Sequence, residues 1–296
     1  MDMIVERNGK KVKLSDLGVM VKDFIVSSVE FEEHHEDIEG MAGGVDNGVS
    51  IGRRSISVPI TFKSYDLLDF PLLRDELFEL FHPSGFIYVQ EMRRQKTLVY
   101  DFVDFGQKPK YEDGTENVLV GGKRYKVRIA SPFDFEQFKT YGSTVLEFKT
   151  VGLPYSESVY TTKELNDTGY DALVEKYGLV DSINSDNTKY KFTERNFSIW
   201  NAGNVTVEPE TMYLEIIVTG SDGNLEIRNK TTNDILIVNA NHGGTFDVKG
   251  MAMRMAAINV FRDSNKRYIS LASGDNEFEV IGQFTDITID FRFYYK

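Results

Sequence analysis

Ser55-Ile56-Ser57-Val58-Pro59-Ile60-Thr61-Phe62-Lys63 alternates polar and apolar residues without a break, so Ile56, Val58, Ile60 and Phe62 share one face. That period is the signature of a half-buried antiparallel strand. Pro59 falls on the opposite face and cannot donate a ladder hydrogen bond, which places the strand at a sheet edge or turns that amide outward. Working outward, Val19 to Phe31, Phe86 to Glu91, Leu98 to Phe102, Tyr125 to Ile129 and Thr144 to Thr150 also read as strands. Together they make one β-rich domain over residues 1–154. A single helix interrupts it: Phe70, Leu73, Leu77 and Leu80 or Phe81 recur at three-to-four spacing, with Pro71 in the first turn. The pattern predicts Leu73, Leu77 and Phe81 buried against the sheet. His82-Pro83-Ser84-Gly85 ends the helix, because proline disfavours helical geometry in the residue before it.

Between residues 155 and 196 the alternation fades and polar residues dominate, apart from a short helical pattern at Tyr170, Leu173, Val174 and Tyr177 before Gly178. This stretch is expected to be a linker. Strand patterns return at Phe197, then at Met212 to Thr219, Asn224 to Arg228, Asp234 to Val238, Thr245 to Val248, Ala257 to Phe261, Glu277 to Ile281 and Asp286 to Tyr295. So many short strands over residues 197–296 indicate a β-sandwich. The fold class is mainly β: an N-terminal barrel with an inserted helix, a linker, and a C-terminal sandwich.

Composition narrows the function. The 296 residues are 41% hydrophobic and 27% charged, close to globular averages. No apolar run approaches the roughly 20 residues that span a bilayer, and the first residues lack a signal-peptide layout, so synthesis in a cytosol without membrane insertion is expected. With no cysteine, disulfides, thiolate metal sites and cysteine nucleophiles are absent. The net charge of -12 argues against gripping nucleic acid, which needs Lys and Arg to release counterions.

No motif carries catalysis. His34, His35, His82 and His242 are scattered, and neither HExxH nor GxSxG occurs. Neighbouring residues on a strand point apart, so His34 and His35 with the surrounding acids fit no metal geometry, and no metal or cofactor is expected. Gly121-Gly122-Lys123 lacks the first glycine and the final Ser or Thr of a phosphate loop, and reads as a hairpin turn. Asp46-Asn47-Gly48, Ser221 to Asn224 and Asn241 to Gly244 carry turn chemistry. Trp200 is the weak carbohydrate candidate, since an indole face stacks on sugars, although a lone Trp is more often packed than free. Glu32, Glu33, Glu36, Asp37 and Glu39 crowd ahead of Gly40-Met41-Ala42-Gly43-Gly44. Mutual repulsion and glycine freedom predict a mobile loop there.

Three stretches resemble the distal tail protein family of siphophages, long-tailed phages infecting Gram-positive bacteria. The first is Arg54 to Phe62 followed by Leu72 to Gly85, similar to that family's strand, helix and P-x-G turn. Tyr125 to Ile129 with Gly142 to Phe148 is similar to the strands closing its N-terminal domain. Phe197 to Asn204 with Pro209, Leu271 to Phe278 and the final aromatic strand resemble its C-terminal domain. The order and spacing of these stretches over about 240 residues carry the resemblance.

The resemblance implies a split β-barrel related to tail-tube subunits that forms a homo-hexameric ring, with a galectin-like sandwich outside it. It implies a virion component made in the host bacterial cytoplasm, joining the tail tube protein to the tail-tip hub and its tail-associated lysin and supporting receptor-binding proteins. No catalytic residue comes with it. In such a ring the acidic segment is expected to face the channel or the adjoining ring, where it would keep DNA phosphates from adhering. The competing readings are a carbohydrate-binding adhesin and a tail-tube or minor tail subunit of related fold.

Overall fold

The computed structural model of the chain describes residues 1–40, 42–95, 118–168 and 187–296, which divide into two units: Met1–Gly121 with Lys126–Val151, and Gly122–Tyr125 with Gly152–Lys296. The expected strand Leu98 to Phe102 and the helical pattern from Tyr170 to Tyr177 lie outside the described residues.

The first unit contains β1 (Asp2–Arg7), β2 (Lys10–Lys13), a 3-10 turn at Leu14–Leu17, β3 (Val19–Val21), β4 (Ile25–Asp37), β5 (Gly44–Lys63), α1 (Asp69–Leu80), β6 (Ile87–Gln95), β7 (Val118–Val120), β8 (Lys123–Ile129, from Lys126 on in this unit), β9 (Glu136–Phe138) and β10 (Tyr141–Thr150). The sheet runs β2-β1-β6-β8-β10-β5-β3, with β4 on β5, β7 on β6 and β9 on β10. It curls into a half-barrel. The alternation in β5 is realised as expected: Ile56, Val58, Ile60 and Phe62 are buried, with Val58 opposite Leu146 and Ile56 opposite Phe148 on β10. Gly142 lies opposite Phe62, whose ring passes 2.4 Å from where a Cβ would stand, so only glycine fits there.

The strand is not an edge. It lies between β10 and β3, and Pro59 is accommodated because β3 ends at Val21 and β4 begins at Ile25. The Pro59 carbonyl accepts the Lys22 amide at 2.9 Å in that break, so the missing amide faces a gap in the ladder. Gly121-Gly122 is likewise not a hairpin turn, since β7 pairs with β6. A Cβ on Gly121 would lie 2.1 Å from the Glu91 carbonyl oxygen, so glycine serves close backbone approach.

The predicted helix is present. Asp66 Oδ1 accepts the Leu68 and Asp69 amides at 2.8 Å each, satisfying free donors of the first turn. Pro71 sits within that turn, where its missing donor costs nothing. Phe70, Leu77 and Phe81 are buried and Leu73 is half-buried. Phe70 meets Phe62 and Phe81 meets Phe148, at ring separations of 5.2 and 5.7 Å. At the other end the Arg7 guanidinium donates to the carbonyls of Glu79 (2.9 Å), Leu80 (3.0 Å), His82 (3.2 Å) and Ser84 (3.0 Å), and to the Ser84 hydroxyl (3.0 Å). One side chain from β1 thus terminates the helix and fixes the His82-Pro83-Ser84 turn.

The second unit contains β11 (Ser156–Ser158), α2 (Thr162–Thr168), β12 (Lys191–Phe192), β13 (Asn196–Asn201), β14 (Leu214–Ser221), β15 (Asn224–Asn229), β16 (Asp234–Asn239), β17 (Gly244–Lys249), β18 (Ala252–Met255), β19 (Ile258–Asn259), β20 (Gly274–Gly282), β21 (Asp286–Phe291) and β22 (Tyr294–Tyr295). Two sheets, β12-β21-β14-β17-β18-β19 and β13-β20-β15-β16, share one apolar cluster. Ile216, Val248 and Ile289 line it from the first, and Ile199, Ile227 and Val280 from the second. This is a two-sheet sandwich. The segments Ser221 to Asn224 and Asn239 to Gly244 pass the chain from one sheet to the other.

The described parts of 155–196, expected as a linker, are built into this unit. The Thr162 hydroxyl donates to the Ile289 carbonyl (3.1 Å) and accepts the Phe291 amide (3.0 Å), β12 pairs with β21, and Tyr190 is fully buried. Polar composition concealed this because the binding is by hydrogen bonds to β21. The final strand is also divided: β21 stops at Phe291, Arg292 Nη1 donates to the Ser158 and Val159 carbonyls at 2.7 Å each, and β22 pairs with β11.

Candidate assembly surface

The acidic segment is not a loop. Glu32, Glu33, Glu36 and Asp37 belong to β4, which pairs with β5 as far as Asp37 opposite Gly44, and Glu39 stands in the turn beyond. Extended backbone sends successive side chains to opposite faces, which separates Glu32 from Glu33 and Glu36 from Asp37 and relieves the repulsion that would favour a coil. Asp46-Asn47-Gly48 keeps its expected turn chemistry, but inside β5 and not at the end of the β4–β5 hairpin. It forms an irregularity within β5, where Gly48 has φ +91 and its amide is accepted by Asp46 Oδ1 at 2.8 Å.

The ladder between β5 and β10 ends at Ser55 opposite Lys149. From Arg54 outward, β4 and β5 pair with each other, so among the described residues they form a free two-stranded ribbon. One face is apolar. Phe31 lies opposite Ile51 and Glu33 opposite Val49, and Phe31, Ile51 and Val49 are 63%, 56% and 55% exposed. On the other face His34 Nε2 lies 2.6 Å from the Ser50 hydroxyl. Lys149 Nζ donates to Glu30 Oε1 at 2.9 Å, fastening the base of the ribbon to β10 and holding the Glu30 carboxyl below its ordinary range. No such partner meets Glu32, Glu33, Glu36, Asp37 or Glu39 among the described residues.

Arg54 stands where the ribbon leaves the barrel. It continues the buried stripe of Ile56, Val58, Ile60 and Phe62, and is 7% exposed. Its amide donates to the buried Thr150 hydroxyl at 3.0 Å, but its Nε has no hydrogen-bond partner and its guanidinium no ion pair among the described residues. A groove of about 730 Å³ between the β1–β2 hairpin and α1, lined by Arg7, Lys10, Val12, Glu76, Phe78 and His82, is a concave feature of this unit. Its arginine is already committed to the helix end. Among the described residues no group of three His, Asp or Glu is placed to hold a metal ion.

In the second unit the stretches Asn201 to Asn204 and Leu271 to Phe278 form one buried polar network. Asn276 Oδ1 accepts from Asn229 Nδ2 (3.1 Å) and the Ala272 amide (2.9 Å), while its Nδ2 donates to the Ala272 (2.8 Å) and Gly274 (3.1 Å) carbonyls. Asn201 Nδ2 donates to the Val205, Leu271 and Ala272 carbonyls. These groups hold loops in place. Trp200 is half-buried, its indole N–H is buried with no partner among the described residues, and its carbonyl accepts the Tyr190 hydroxyl at 3.0 Å. An enclosed indole donor is not available to a sugar hydroxyl.

Residues 7–150 match the family model described as the phage tail protein RIFT-related domain. Over that stretch, just under half of the chain, the sequence is similar to this family. The RIFT-related domain holds both the ribbon and Arg54. The whole fold is similar to that of the Dit protein of phage SPP1, a hub of the adsorption apparatus in Gram-positive-infecting phages, with a TM-score of 0.61 at 14% identity over 98% of this chain and 99% of that one. Chains of the phage p2 baseplate in its activated conformation, with strontium and with calcium, align with TM-scores of 0.46 at 9% identity, covering 98% and 99% of this chain and 97% of each of theirs. Comparison with curated proteins finds no sequence match. The family-model match and the likeness of fold to Dit agree with the sequence resemblance.

Proposed function

We propose that the chain is a structural, non-enzymatic distal tail protein of a long-tailed phage: six copies form a ring between the tail tube and the tail-tip hub, with its lysin, and support host-adhesion proteins. The ring-forming part is residues 1–154. The sandwich of residues 197–296, with the described parts of 155–196 built into it, is galectin-like and peripheral, and the whole resides in the virion tail.

The observation that carries this reading is the ribbon. A two-stranded hairpin is marginal in water by itself, and this one exposes Phe31, Val49 and Ile51 on one face. Such a surface is accounted for when a neighbouring subunit covers it. A ring is built from heterologous contacts that close by rotation, and a ribbon reaching away from its own barrel supplies one side of such a contact. The acids Glu32, Glu33, Glu36, Asp37 and Glu39 then lie at the contacts of the ring. The net charge of -12 suits a passage that DNA crosses without adhering.

The test is the mass of the purified protein with negative-stain imaging. A hexamer of 33.8 kDa subunits with a central hole is expected. Replacing residues 32–50 with Asn-Gly, which keeps Phe31 opposite Ile51 as the closing pair, should leave a folded monomer. A wild-type monomer at the highest soluble concentration refutes the ring, glycan binding without a ring favours an adhesin, and long polymers favour a tube subunit.

A further inference from the structure

We infer that Arg54 is the socket for a ribbon carboxylate of a second copy of this chain, so that the tip of one subunit's ribbon docks at the base of the next subunit's ribbon. This rests on the ring reading and names the contact within it.

The argument begins with an imbalance inside one subunit. Arg54 is a cation on the core face of β5, beyond Ile56, with 7% of its surface exposed and its Nε unpartnered. Burying a charge is strongly unfavourable unless an opposite charge and hydrogen bonds compensate it. The nearest acid in the ribbon, Glu30, is engaged with Lys149 at 2.9 Å. The acids without partners among the described residues start at Glu32, opposite Ser50, and extend past Asp37, opposite Gly44. At about 3.3 Å per residue, Ser50 is roughly 13 Å and Gly44 roughly 33 Å along β5 from Arg54. A paired ribbon cannot fold back on its own base, so these acids cannot reach their own Arg54. Between copies they can.

The arrangement also has a direction. Each subunit offers acids at one end of the ribbon and a cation at the other, so each gives its tip to one neighbour and receives the tip of another. That is a head-to-tail contact, the type that closes into a ring. An arginine at the socket suits a carboxylate, because its planar fork donates to both oxygens at once.

The experiment is a double-mutant cycle on the full chain, read as ring dissociation on dilution by mass photometry. One variant is Arg54→Met, which keeps a long side chain and removes the charge. The other changes the five acids to amides: Glu32→Gln, Glu33→Gln, Glu36→Gln, Asp37→Asn and Glu39→Gln. Each should raise the dissociation constant about tenfold or more, and the combination should be no worse than either alone. The thermal midpoint of dilute Arg54→Met monomer should stay level or rise, because a largely buried charge with an unpartnered Nε is gone; a purely structural arginine would give a fall. If the wild type forms rings and Arg54→Met forms them equally well, this inference fails while the ring stands. Independent, multiplying effects of the two variants also overturn it. A wild-type chain that never forms a ring overturns both readings.

Discussion

Arg7→Met removes the guanidinium that closes α1 while keeping a side chain of similar length. Five hydrogen bonds are lost, to the carbonyls of Glu79, Leu80, His82 and Ser84 and to the Ser84 hydroxyl. A charged donor gives about 1.5 to 3 kcal/mol per bond when the acceptor has no alternative. Here most acceptors lie near the surface and regain water, so about 0.5 kcal/mol each is the appropriate scale, or roughly 2.5 kcal/mol together. Loss of a cation at the negative end of the helix dipole adds about 0.3 to 1 kcal/mol. The total of about 3 kcal/mol corresponds to a fall of roughly 6 to 12 °C for a unit of about 150 residues. Scanning calorimetry, with hydrogen exchange of peptides from α1, measures it, and exchange should quicken most at Leu77 to Phe81. Arg7→Lys should lie between, since one ammonium cannot span the four carbonyls. A melting shift under about 2 °C for Arg7→Met would refute the cap as a source of stability.

Leu77→Ala, at a fully buried position, should cost about 2 to 5 kcal/mol in a thermal melt; an unchanged midpoint would place the helix face on the surface. Asn276→Ala removes four hydrogen bonds and takes their partner from the Ala272 N–H and the Gly274 carbonyl, and should destabilise the second unit by about 1 to 3 kcal/mol in urea unfolding. The Asp247 carboxyl is raised above its ordinary 3.8, first by burial and against the pull of Arg254. A raised acid disfavours the folded state once it must ionise, so Asp247→Asn should stabilise at pH 7, with the gain disappearing as pH falls through 3.8. Equal melting differences at pH 7 and below 3.8 would contradict this. Burial raises the phenol of Tyr190, and burial with Asp290 raises that of Tyr213. Stability should therefore be intact below 10 and decline above it in an alkaline titration.

The legible half of β5 is the half with a buried face. Ile56 to Phe62 alternate because one side meets the core, whereas Gly44 to Arg53 are exposed on both faces and carry no periodic signal. Without that signal, Asp46-Asn47-Gly48 and the acid run read as turn and coil, which hides the ribbon. Its trace was present in the matching apolar residues Phe31, Val49 and Ile51. Arg54 was similarly obscured as a polar residue at a strand start, although its parity with Ile56 already placed it on the core face. Most strands of the sandwich are legible because their inward residues alternate, but β18 is not, and the expected strand Ala257 to Phe261 is only β19 with a 3-10 turn at Phe261–Asp263. Thr162, Tyr190 and Phe192 are not legible either, since hydrogen bonds and isolated contacts leave no period.

β5 is one uninterrupted strand that is half ribbon and half core. Its ladder to β10, from Ser55 to Lys63, consists of bonds lying across the strand direction. A pull on the ribbon along its axis therefore loads all of those bonds together, in shear. A sideways pull would instead unzip β4 from β5 one pair at a time, starting at Asp37 and Gly44. The molecule is mechanically anisotropic: stiff to tension along β5 and compliant to peeling. Axial force received at the tip reaches the stripe from Ile56 to Phe62 without crossing a loop.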